Sequence, residues 1–122
     1  MNGKIVDRYV EYVKLRNNYR LVNAKKSNYY YDRAYEKLQK IKKDNENIRI
    51  IEQLLENSDV GVRLFTASNC LDIKSIEKKS ILVLKEIAST KYDFEEFYDI
   101  DAKMILNIYM EEHNLDNNKK YI

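Results

Sequence analysis

"DVGVRLFTASNCLDI", residues 59–73, decides how this chain is read. Val60, Leu64, Ala67 and Leu71 recur at i, i+4, i+7 and i+11, which is one apolar stripe of a helix. Val62, Phe65 and Ile73 fall on the other side. A helix lying on a surface needs one apolar stripe, so a helix with two is expected to be covered on both sides within a layered helical array. The preceding "ENSD", residues 56–59, breaks the pattern and offers Ser58 or Asp59 as a cap for the free backbone N–H groups at the helix start.

Helical spacing continues outward in both directions, and no run of two-residue alternation is long enough to suggest a sheet. A first helix over 4–20 stacks Ile5, Val6, Tyr9, Val10 and Val13. A second over 24–43 places Tyr30, Tyr31, Ala34, Tyr35, Leu38 and Ile41 in a broad stripe, with Tyr29 pointing away. A third over 46–57 carries Ile48, Ile51, Leu54 and Leu55. Beyond the opening stretch, Ser75 starts a fifth helix with Ile76, Val83, Leu84 and Ile87 on one face. The stretch "TKYDFEEFYD", residues 90–99, is acidic, aromatic and not periodic, and reads as the longest loop. A last helix over 99–113 turns Ala102, Ile105, Leu106 and Tyr109 inward, and the tail 114–122 is expected to fray.

The totals agree with one all-α domain spanning 1–122. The chain has 122 residues, no proline, and glycine only at positions 3 and 61. An apolar share of 44% suffices for a modest core, and 34% charged residues imply a solvated surface. No apolar run reaches the roughly 20 residues of a membrane helix, and "MNGKIVDRYV" lacks the apolar core of a secretory signal. A single cysteine, Cys70, cannot form an internal disulfide, so a reducing cytoplasm is the expected location. The net charge of +2 conceals a polarity: residues 1–43 carry twelve Lys/Arg against four Asp/Glu, and residues 44–122 carry ten against sixteen. Such an asymmetry can steer a charged partner, or it can draw two halves of one domain together.

The third and fourth helices, and then the fifth and sixth, are expected to form two hairpins, each entering its second helix through an acidic residue, Asp59 or Asp101. "DVGVRLFTA" and "DIDAKMILN" align loosely, with Arg63 and Lys103 in equivalent places. Repeated hairpins of this kind suggest an α-helical repeat array of about six helices. The opening stretch resembles the Asp-x-x-Val-Arg-x-x-Ala pattern of HEAT repeats. "YDIDAKMILNIY" and "YYYDRAYEKLQKI" are similar to segments of a small bacterial HEAT-like family filed as domain of unknown function twenty-nineteen. The resemblance runs over nearly the whole chain, on Val62-Arg63-Leu64 with Ala67 and on Asp101-Ala102-Lys103-Met104. Segment 90–99 departs from it, being longer and more acidic than a short Gly-containing link, as does Thr66 where a second Ala is common. The resemblance implies an α-α superhelical array without catalytic activity, and small proteins of this kind resemble immunity proteins that plug the active site of a bacterial toxin.

Residue by residue, chemistry finds little to build on. Asp59 and Arg63, like Asp101 and Lys103, read as structural residues that cap and tie helices. Cys70 lies near the apolar stripe and reads as a small buried hydrophobe. His113 is the single histidine, so neither a zinc site nor a Ser/His/Asp set can be assembled, and no metal or cofactor is expected. Glu95-Glu96 and Glu111-Glu112 read as solvated rather than as a general acid and base.

Two surfaces remain. Tyr92, Asp93, Phe94, Glu95, Glu96, Phe97, Tyr98 and Asp99 combine aromatic anchors with carboxylates, a composition suited to gripping a basic protein, with a basic toxin domain as the specific case. Phe94 and Phe97 could equally serve to pin the loop. Lys25, Lys26, Tyr29, Lys37 and Lys40, with Lys42 and Lys43, form the alternative, a basic helix face able to follow a nucleic-acid backbone. The primary expectation is therefore a non-catalytic protein-binding module, with nucleic-acid binding as the competing function and no membrane partner.

Overall fold

Side chains that replace missing backbone partners build several of the helix ends of this chain. Its computed structural model describes residues 3–93 and 96–113. These residues are all-α, in the order α1 (Gly3–Tyr19), α2 (Ala24–Lys42), a 3-10 turn (Asn45–Asn47), α3 (Ile48–Leu55), α4 (Val60–Asn69), α5 (Lys74–Ala88) and α6 (Tyr98–Glu112). The expectation of a frayed tail at 114–122 lies outside the described residues. Two compact units divide the chain, Met1–Val62 and Arg63–Ile122.

In the first unit, α1 and α2 make the most extensive helix pairing. Asn23 adopts extended backbone and its side chain accepts a hydrogen bond from the Lys26 N–H at 3.0 Å, which starts α2. The Ser27 hydroxyl donates to the Arg16 carbonyl (2.9 Å), and the buried Asn47 amide donates to the Ile41 carbonyl (3.0 Å). Both carbonyls belong to last turns, where no partner exists within the helix, so each bond both closes a helix and fixes the chain that follows.

Packing in this unit follows side-chain size more than hydrophobicity. Tyr9 and Val13 of α1 are buried, as are Ser27, Ala34, Leu38 and Ile41 of α2. The small Ser27 and Ala34 allow close approach of the helices. Tyr31 and Tyr35, expected within the apolar stripe, are exposed on its flanks. Tyr30 is retained: its ring stacks between Tyr12 and Tyr19 of α1, with centroids 6.1 and 5.9 Å away.

The break before α4 is a chain of two caps. The Asn57 side chain accepts from the Asp59 N–H (2.9 Å), and Asp59 accepts from the Val62 N–H (3.0 Å). Within and just after α4, Val62, Leu64, Phe65, Thr66, Ala67 and Cys70 are all buried, so both expected apolar faces are covered. Ser68 and Asn69 donate back to the Leu64 and Phe65 carbonyls one turn earlier, at 2.6 and 2.9 Å, and past the last turn the Cys70 N–H reaches the Ala67 carbonyl at 3.5 Å.

In the second unit α5 and α6 form the close pair, burying Ile76, Leu84 and Ile87 on one helix and Ala102, Leu106 and Tyr109 on the other. Three expectations are corrected. The third helix begins with a 3-10 turn and is regular only from Ile48 to Leu55. α5 starts at Lys74 rather than Ser75, after an Ile73 that supplies no side-chain cap. Within the units the close hairpins are α1–α2 and α5–α6. Asp59 stands before its helix, whereas Asp101 lies inside α6, its N–H already bonded to the Phe97 carbonyl (2.9 Å), so the two do not occupy equivalent places.

Candidate protein interface

The acidic segment is built from α6 backwards. Tyr98 and Asp99 belong to the first turn of α6 and not to the loop, where Asp99 and Asp101 face the positive end of the helix dipole. Tyr92 meets Tyr98 edge to face, with ring centroids 5.5 Å apart. The Glu96 N–H donates to the Asp93 carbonyl at 2.8 Å. Tyr92, Phe97 and Tyr98 are half-buried, while Asp93 and Glu96 are exposed. Phe94 and Glu95 lie outside the described residues.

On the basic side, Lys25, Lys26 and Lys40 are exposed and Lys37 is half-buried. Tyr29 points outward, 57% exposed, as its place in the helical period required. Cations already cover several rings: the Arg33 guanidinium lies 5.6 Å from the Tyr29 centroid, Arg16 5.5 Å from Tyr31, and the Lys26 ammonium 5.1 Å from Tyr19. Glu36 pairs with Arg33 (3.2 Å) and with Lys40 (3.8 Å). A surface hollow of about 450 Å³ on α2, lined by Asp32, Tyr35, Glu36, Gln39, Lys40 and Lys43, is accordingly mixed in charge. This face is not a continuous track of cations.

The residues read as structural take these places. Asp59 caps α4, and Arg63, Asp101 and Lys103 are half-buried. Cys70 is fully buried. At the end of α6 the His113 ring sits 4.1 Å from the Tyr109 ring, and an N–H at Nδ1 donates to the Tyr109 carbonyl (2.9 Å). The Tyr109 hydroxyl donates across to the Glu77 carboxylate of α5. Burial, then that hydrogen bond and the carboxylate charge, push the Tyr109 phenol up to about 12. Among the described residues no three His, Cys, Asp or Glu side chains are grouped to hold a metal, and no helix is long and apolar enough to cross a membrane.

One feature of the surface escaped the sequence reading. Ile100, Met104 and Ile108 of α6 are 50%, 56% and 51% exposed. Their spacing of four residues is visible in the sequence as a second stripe, opposite Ala102, Leu106 and Tyr109.

Comparison of the chain with protein-family models, with curated proteins and with solved structures gave no match. Functional assignment therefore rests on the surface chemistry and on the motif resemblance described above.

Proposed function

We propose that this chain is a non-catalytic protein-binding module whose segment 92–99 meets a basic surface on another protein. The observation that carries this reading is the Tyr92–Tyr98 ring contact, beside which Asp93 and Glu96 are exposed. Exposed carboxylates beside a packed aromatic pair add charge that steers a basic partner and sets its register. Within this class, the motif resemblance supports a HEAT-like α-α array acting in the bacterial cytoplasm as an immunity protein against a basic toxin domain.

The test is to purify the tagged chain from its own cells, identify the bound protein and measure its affinity. Asp93→Lys with Glu96→Lys is expected to weaken that affinity at least about tenfold. Unchanged affinity sinks the reading.

The competing reading, nucleic-acid binding by α2, has the exposed Tyr29 beside Lys25 and Lys26 in its favour. Asp32 and Glu36 on the same helix count against it, because carboxylates repel phosphates. A steep loss of RNA or DNA binding with salt that maps to Lys37 and Lys40 would favour it.

A further inference from the structure

We infer that the outer face of α6 is the apolar seat for a basic amphipathic helix of the partner. The inference rests on the protein-binding reading and names the surface that would follow on from the acidic segment. Ile100, Met104 and Ile108 lie one above another, spanning about 12 Å along the helix, which matches the reach of anchors at i and i+7 on a docking helix. All three are half exposed although the opposite side of the same helix is fully buried, so the stripe is not the rim of the core.

Charge selects the occupant. Residues 90–113 contain seven carboxylates and only two lysines, Lys91 and Lys103, in a chain whose net charge is +2. Exposed acids stand at both ends of the stripe, Asp93 and Glu96 before it and Glu111 and Glu112 after it. A helix with apolar residues along one face and Lys or Arg beside them would bury the stripe and find a carboxylate at either end. The exposed tyrosines of α2 fit this role less well, since Arg16 and Arg33 already cover the rings of Tyr31 and Tyr29.

The probe is a synthetic helical peptide with Leu along one face and Lys along the other, titrated into isotope-labelled protein. A scrambled peptide of the same composition serves as control. Amide shifts centred on 100–108, weakened about tenfold by Met104→Lys and likewise by Ile108→Gln, are the expected result. Both positions are exposed, and retention of the fold is checked by circular dichroism. Shifts centred on α1 and α2, equal binding of the scrambled peptide, or indifference to both substitutions would overturn the proposal. So would a wild-type dimer that Met104→Lys dissociates, because the occupant would then be a second copy. A native partner lost on substituting Asp93 and Glu96 but retained by Met104→Lys overturns the α6 seat and leaves the acidic-segment reading standing.

Discussion

The Tyr109 hydroxyl of α6 donates a hydrogen bond to the Glu77 carboxylate of α5, so a phenol and an acid join the two helices of the second unit. The phenol is pushed up to about 12 from an ordinary value of 10.0. Raising the pKa of the folded state means that the unfolded chain ionises first. Stability from this group is complete below pH 10 and is lost as the pH rises from about 10 to about 12. Denaturant melts across that range should show the fall. Tyr109→Phe should lower stability at neutral pH by about 1 to 2 kcal/mol and flatten its alkaline decline. An unaltered alkaline profile in this variant would assign the decline to other tyrosines.

Gly61 is placed where a Cβ would overlap the Asn17 side-chain amide and lie 3.0 Å from the Asp59 carboxylate. Asn17 is itself held by a hydrogen bond from the Arg16 guanidinium (2.9 Å). Gly61→Ala should therefore destabilise by about 1 to 2 kcal/mol, despite the higher helix propensity of alanine. Adding Asn17→Ala should recover about 1 kcal/mol, read as non-additivity in a double-mutant cycle.

Capping by Asp59 gives a simpler expectation. Asp59→Ala removes the acceptor for the Val62 N–H and should cost about 1 kcal/mol in thermal or denaturant unfolding. Asp59→Asn keeps an oxygen in place and should behave almost as the wild type.

Ser80 should respond in the opposite sense. Its side chain is fully buried in α5, and its hydroxyl has no hydrogen-bond partner among the described residues. Ser80→Ala removes that buried polar atom and introduces the strongest helix former, so the midpoint of thermal unfolding should rise, by the equivalent of about 1 kcal/mol. A lower midpoint would mean that the hydroxyl is satisfied.

The all-α class and nearly every helix boundary were legible because their signals are local. Asn57 and Asp59 stand directly ahead of α4, and the two apolar stripes of α4 are written within a few turns. Tyr31 and Tyr35 were misplaced because apolar period alone treats a tyrosine as core; the contact line is chosen by the smallness of Ser27 and Ala34. The start of α6, expected at residue 99, lies at Tyr98, although Phe97 offers no side-chain cap and Asp101 stands inside the helix. As for the candidate site, the acidic composition of 92–99 was readable and the Tyr92–Tyr98 contact was not, because it joins residues across a break in the helical period. The exposure of Ile100, Met104 and Ile108 depends on which face of α6 turns toward α5, and a pattern apolar on two sides does not decide that.

The complete burial of Cys70 at the end of α4 supplies a clock. As the chain's single cysteine, it can be alkylated only during those moments when its surroundings open, and every modified molecule records one such event. The labelling rate, set against that of the unfolded chain, measures the free energy of opening at this point without any substitution. Repeating it with a binding partner present would reveal whether occupation of the partner's surface slows the clock.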